Sequence, residues 1–173
     1  EVFGCQMNKL DGELVVGALR KAGYDFTDQD DEADAVLMVT CAIRDQAENR
    51  VRSHLGELAL LKQHKPDLAI GVLGCMASRE GKALLDRWQA LDFVLGTRDF
   101  PKVAATLDEV RADRTRVLSV DGDPRVDEAR DLGVRPHRAR AFVTVMRGCD
   151  KRCTYCVVPN TSGVEVSRPM AEV

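Results

Sequence analysis

Over residues 1–120, short apolar runs alternate with stretches whose apolar residues recur every three or four positions, a pattern that predicts β-α units around a parallel sheet. Val2–Gly4 reads as the end of a first strand, Ala35–Val39 as a buried second, Leu68–Leu73 as a third, Phe93–Leu95 as a short fourth and Arg116–Val120 as the last. Between them, Leu10, Leu14, Val15, Ala18, Leu19 and Ala22 keep helical spacing until Gly23 stops the helix. Ala47, Val51, Leu55, Leu58 and Leu61 mark a long helix over Arg44–His64, with Pro66 just beyond it. Ala77–Ala90 predicts a third helix and Phe100–Val110 a fourth, entered through Pro101. The periodicity breaks over Asp121–Arg138, where five acids, four bases, two prolines and two glycines predict a linker. Ala141–Met146 then reads as a strand opening a second unit over residues 139–173.

The composition fits a globular chain: 173 residues, 45% hydrophobic and 31% charged, with a net charge of −3. Disorder and a coiled coil are thereby disfavoured. No apolar run approaches the roughly 18–20 residues that span a bilayer, so no membrane partner is expected. Mild acidity argues against nucleic-acid binding by bulk charge alone. The length accommodates one domain and leaves too little for a second large one, which, with Glu1 rather than Met at the start, leads to the expectation of a clipped chain.

Six cysteines sharpen the picture. Cys5, Cys41 and Cys75 each follow a predicted strand, so all three fall on the carboxyl edge of the sheet, where open parallel sheets hold ligands at reversals of strand order. Three thiols from three strand ends can meet at one cofactor; each can equally be a small buried hydrophobe. Cys149, Cys153 and Cys156 form C-x3-C-x2-C directly after a strand, a spacing that lets three thiolates hold three of the four irons of a cubane and leaves the fourth open. Zinc stays a second reading that requires a distant fourth ligand, since His54, His64 and His137 stand at no ligand spacing to the triplet. In a chain with a good core, such clusters point to metal or redox chemistry before disulfides.

The triplet, with Tyr155 just before its last cysteine, resembles the radical S-adenosylmethionine superfamily. Gly4-Cys5-Gln6-Met7-Asn8, Thr40-Cys41-Ala42-Ile43-Arg44 with Ala47 and Glu48, Gly74-Cys75-Met76-Ala77, and Arg147-Gly148-Cys149 through Cys156-Val157-Val158-Pro159 with Ser167-Arg168-Pro169 extend the likeness along the whole chain. In order and spacing they are similar to the methylthiotransferase family, in the MiaB-like branch that methylthiolates isopentenyl-adenosine in tRNA. The resemblance implies a flavodoxin- or Rossmann-like sheet domain followed by the first strand and cluster loop of a radical S-adenosylmethionine β/α barrel. It implies two [4Fe–4S] clusters and S-adenosylmethionine. Cys149, Cys153 and Cys156 would hold the cluster that chelates S-adenosylmethionine and generates the 5′-deoxyadenosyl radical, with Tyr155 in the same cofactor-binding set. Cys5, Cys41 and Cys75 would hold the auxiliary cluster, which carries or donates the sulfur delivered to C2 of adenosine 37 in the anticodon loop. The resemblance also implies an electron donor such as flavodoxin or ferredoxin, and a cytoplasmic monomer.

The chain departs from the family pattern at Val39, where Asn usually precedes Thr-Cys, and at Asn160-Thr161-Ser162-Gly163, where Tyr-Thr-Arg-Gly is usual. A full barrel takes about 200 residues, so the expectation is an N-terminal portion that folds its first domain and lacks turnover. Arg138, Arg140, Arg147, Lys151 and Arg152 against Asp150 supply a local positive excess, suited either to tRNA phosphate or to compensating an anionic cluster. Arg44, Asp45, Glu48 and Arg52 read as a solvated, salt-bridged helix face. Two alternatives stand beside the enzyme: a non-catalytic Fe–S or zinc module, and a methylthiotransferase for threonylcarbamoyl-adenosine tRNA or a ribosomal protein.

Overall fold

The structure, a computed structural model, describes residues 1–123, 139 and 142–172. Five strands, β1 (Val2–Phe3), β2 (Ala35–Thr40), β3 (Ala69–Gly74), β4 (Phe93–Leu95) and β5 (Val117–Ser119), pair in parallel in that spatial order. Four helices connect them: α1 (Gln6–Lys21), α2 (Asp45–His64), α3 (Cys75–Arg87) and α4 (Val103–Asp113), the last entered through a 3-10 turn at Phe100–Lys102. The expected α/β fold with a parallel sheet is therefore present.

Strand periodicity divides the core in two. Val36, Met38, Ile70, Val72 and Val94 face Val51, Leu55 and Leu58 of α2 and Leu84 and Leu85 of α3. Val39, Ala69, Leu73, Phe93 and Leu95 face Val15 and Leu19 of α1 and Val103, Leu107 and Val110 of α4. Gly71 sits in register with Phe93, whose ring occupies the space a Cβ would need, so this glycine lets the largest core side chain lie flat on β3. The strand order does not reverse, contrary to the expectation of a crevice at such a reversal. The helices change face instead, between α1 and α2 and again between α3 and α4. Where α1 and α2 diverge, the carboxyl ends of β1 and β2 are left open to a ligand.

Several boundaries differ from the sequence reading. α1 begins at Gln6, ahead of its first apolar position, because Cys5 and Asn8 form a reciprocal cap with the Cys5 N–H donating to Asn8 Oδ1 at 3.1 Å. α3 starts directly from β3 at Cys75 and ends at Arg87. The charged positions of α2 are not merely a solvated face. Glu48 is buried, accepts both Arg79 nitrogens at 2.8 and 2.9 Å and takes Arg52 at 3.1 Å, tying α2 to α3; this carboxylate raises the pKa of Arg79. The expected strand Ala141–Met146 shrinks to β6 (Met146–Arg147), paired antiparallel with β7 (Val166–Ser167). Residues 142–145 carry strand propensity without a ladder partner, and propensity alone does not make a strand. Ala141 and most of the linker Asp121–Arg138 lie outside the described residues. A short helix, α5 (Val158–Ser162), precedes β7. Among the described residues, no helix is long and apolar enough to cross a membrane.

Candidate metal centre at the strand ends

Cys5, Cys41 and Cys75 lie at the carboxyl ends of the adjacent strands β1, β2 and β3, as their spacing predicts. The backbone around them allows no ordinary side chain at two neighbours. Gly4 has φ +147°, and a Cβ there would collide with Asn8 Oδ1 and the Cys41 Cβ. Gly74 has φ +99°, and its Cβ would sit 2.8 Å from the Thr40 carbonyl oxygen. Asn8, fully buried, donates through Nδ2 to that same carbonyl at 2.9 Å, and Thr40 donates through Oγ1 to the Leu73 carbonyl at 2.8 Å. Three strand ends are thus tied into one frame, with Cys41 buried and Cys5 and Cys75 half-buried.

The thiols are close enough to perturb one another. Burial, then the Asp11 carboxylate, then Cys41 and Cys5 push the Cys75 pKa from its ordinary value of 9.0 up to about 12, against a hydrogen bond from Thr161 that lowers it. Cys75 opens α3 and Cys5 caps α1. Because the folded Cys75 holds its proton more tightly than the unfolded chain does, the metal-free protein keeps this contribution below pH 9 and loses it as pH rises towards 12. The expected loss is about 1.4 kcal/mol per pH unit within that window. Urea unfolding from pH 8 to 11 should show this extra slope relative to Cys75→Ala; identical slopes would count against it.

The second triad lies on a loop pinned to residues 163–165. Gly148 has φ +72°, and a Cβ there would strike the Val164 carbonyl. The Cys149 N–H donates to the Gly163 carbonyl at 3.0 Å, the Cys156 N–H to the Cys153 carbonyl at 3.1 Å, and Asp150 Oδ1 accepts the Glu165 N–H at 3.0 Å. Cys149 and Cys156 are half-buried and Cys153 is exposed; the Tyr155 ring is 90% exposed. All six cysteines are free. Neither triad gathers its three sulfurs within 4.8 Å; among the described residues only Glu1, Asp30 and His54, on the α2 face near the start of β1, bring three metal-binding atoms that close. A single tetrahedral ion with bonds of about 2.3 Å needs sulfurs about 3.8 Å apart. A triad of thiolates can instead be held by three different irons of one cluster.

Contacts between distant segments were not legible in the motifs. Arg147, beside the second triad, pairs at 3.3 Å with Asp11, which is buried next to the first. Of the expected basic patch, Arg147 is therefore turned inward, Lys151 and Arg152 are exposed, and Arg138 and Arg140 lie outside the described residues. Thr97 donates through Oγ1 to the Thr161 carbonyl at 2.7 Å, and Arg98 donates to the Ser162 carbonyl at 3.1 and 3.2 Å. These two side chains cap the last carbonyls of α5, which have no partner within the helix, and seat it on α3 over Cys75.

Comparison with known proteins agrees with this arrangement. A tRNA-2-methylthio-N(6)-dimethylallyladenosine synthase from Syntrophotalea carbinolica is 42% identical over 178 residues, covering 100% of this chain and 40% of the relative. Proteins of the same name from Cereibacter sphaeroides and Shewanella halifaxensis are 43% and 40% identical over the whole chain, which covers 40% and 37% of their lengths. The resemblance to methylthiotransferases is borne out, while the chain spans about 40% of the length of these curated relatives. A family model described as Uncharacterized protein family UPF0004 matches residues 1–96, the region holding strands β1 to β4 and Cys5, Cys41 and Cys75, and the chain belongs to that family.

Proposed function

We propose that this chain is the cluster-bearing part of a tRNA methylthiotransferase that places a methylthio group on C2 of N6-isopentenyladenosine at position 37. The observation that carries the reading is the convergence of Cys5, Cys41 and Cys75 on one sheet edge, with the second-triad segment seated against it through α5 and Arg147. The names of the relatives supply the substrate class. Residues 1–120 form the sheet domain, 121–138 a linker and 139–173 the start of the radical S-adenosylmethionine domain.

In this reading each triad would hold one [4Fe–4S] cluster, three free thiols being the donor set for three irons. When bound, the clusters and S-adenosylmethionine supply the radical and sulfur-transfer chemistry that unactivated C–H bonds require. Asn8 and Thr40 hold the first triad's backbone, Arg147 offsets the Asp11 charge beside it, and the exposed Tyr155 borders the S-adenosylmethionine side of the second. Lys151 and Arg152, both exposed, meet tRNA phosphate. A flavodoxin or ferredoxin supplies electrons in the cytoplasm, the chain acting as a monomer. Turnover on tRNA belongs to the longer chains the relatives represent; metal loading belongs to these residues.

The test is iron and acid-labile sulfide after anaerobic reconstitution. About eight irons are expected, falling to about four in Cys5→Ala/Cys41→Ala/Cys75→Ala and to about four in Cys149→Ala/Cys153→Ala/Cys156→Ala. Uptake of zinc in place of iron, or loss of all iron in either triple variant, would sink the two-cluster reading.

A further inference from the structure

We propose that Glu1, Asp30 and His54 form a further metal site, for a divalent cation that prefers oxygen and nitrogen donors, at the opposite end of the strands from the cysteines. The site shares no residue with either triad and stands apart from the cluster reading. One carboxylate oxygen each from Glu1 and Asp30 and a ring nitrogen of His54 lie within 4.8 Å of one another. They come from separate segments: Glu1 leads into β1, Asp30 lies in the connection from α1 to β2, and His54 is in the middle of α2. Glu1 is held against β2 twice, its nitrogen donating to the Leu37 carbonyl at 2.8 Å and its carbonyl accepting the Val39 N–H at 2.9 Å.

The His54 ring is set for a cation. Nδ1 stands 3.0 Å from Glu57 Oε2, one turn further along α2. A carboxylate only accepts, so the ring proton is on Nδ1 and Nε2 carries a lone pair. Nε2 lies 3.0 Å from Glu1 Oε2 and 3.4 Å from Asp30 Oδ2, yet it is closed to solvent and has no hydrogen-bond partner. Among the described residues, Glu1, Asp30 and Glu57 have no side-chain ion-pair partner other than this imidazole. Three carboxylates around one neutral ring leave a local negative charge that a bound cation offsets.

The separations fit a single ion. Two ligands on a cation with bonds of about 2.1 Å stand about 3.0 Å apart in an octahedron and about 3.4 Å apart in a tetrahedron. Both Nε2–oxygen distances fall on these values. In either geometry the oxygens lie about 35–45° away from the Nε2 lone pair, which points at the ion. A hydrogen bond from a protonated Nε2 needs an oxygen near that axis, and neither carboxylate supplies one. Glu57 supplies the carboxylate that orients a metal-bound imidazole through its other nitrogen. Two oxygens and one nitrogen suit manganese and similar ions rather than thiolate-seeking ones. An ion here ties the edge strand β1, which leads into Cys5, to α2.

The experiment titrates the reduced, chelator-treated 173-residue chain with Mn²⁺ and follows the free ion by electron paramagnetic resonance. Manganese is the probe because its preference for carboxylate oxygen over thiolate keeps it off the six free cysteines. One ion per chain is expected. Asp30→Asn and His54→Gln should each weaken binding by at least about tenfold, the loss that even an outer-shell partner of a metal typically produces. Asp31→Asn removes the same charge from the next, exposed residue and should leave the affinity nearly unchanged. Manganese should raise the thermal midpoint of the parent and of Asp31→Asn but not that of Asp30→Asn. Absence of uptake, or equal weakening by Asp30→Asn and Asp31→Asn, would overturn the proposal. So would uptake that survives Asp30→Asn and disappears in either triple cysteine variant, which places the manganese on thiolates.

Discussion

Gly74→Ala should destabilise the metal-free chain by roughly 2–5 kcal/mol and empty the first triad while leaving the second loaded. Two independent penalties add. Gly74 has φ +99° and ψ −152°, a region that L-residues occupy only under strain costing about 1–3 kcal/mol. Its Cβ would also stand 2.8 Å from the Thr40 carbonyl oxygen, and this neighbour is backbone that cannot swing aside. Asn8 Nδ2 holds that carbonyl at 2.9 Å, and Thr40 Oγ1 is spent on Leu73 at 2.8 Å. Relieving the clash means pulling β2 from β3 where Cys41 and Cys75 leave them, with an overpacking cost of about 1–3 kcal/mol. Gly56→Ala is the control: it lies within α2, has nothing within 4 Å of its Cβ, and should be stabilised by a few tenths to 1 kcal/mol. Urea midpoints measure the stabilities, and iron should fall from about eight to about four per chain only at Gly74. Unchanged iron together with an unchanged midpoint would contradict the claim that this turn positions the triad.

How much of this was legible depended on the range of the contact. The core strands were readable because alternation along β2, β3 and β4 is a local consequence of two buried faces, and the cysteines followed as the residues just beyond them. The frame holding those cysteines was not. Asn8 reaches Thr40 across 32 positions, Thr97 reaches Thr161 across 64 and Arg147 reaches Asp11 across 136, and no periodicity records such pairs. Glu48 shows the same limit: its spacing to Arg52 signals an exposed helical pair, whereas the arrival of Arg79 from α3 buries it. The run at Ala141–Met146 misled for the opposite reason. Its β-branched and aromatic residues were locally suited to a strand, but among its described residues only Met146 finds a ladder partner, in β7.

Asp99→Ala is expected to cost about 2–4 kcal/mol and to loosen α5 although Asp99 touches neither triad. Its carboxylate is fully buried and accepts Ser119 Oγ at 2.8 Å, the Gly122 N–H at 3.1 Å and Lys102 Nζ at 2.5 Å. Lys102 is largely exposed and returns to water at little cost. The Gly122 N–H is buried and loses its acceptor, so most of the penalty falls there and at Ser119. Asp99→Asn, which keeps one acceptor oxygen, should lose less than Asp99→Ala. The same carboxylate braces the turn closed by the Asp99 N–H on the Gly96 carbonyl at 3.1 Å, and that turn presents Thr97 and Arg98 to α5. Losing the brace frees both clasps at once. Hydrogen exchange should therefore accelerate at the Thr161 and Gly163 amides more than at Leu55 or Leu58 in the middle of α2, which packs on the opposite side of the sheet from α4. Uniform acceleration would mean that Asp99 contributes only to global stability, and that α5 is held without the turn it supports.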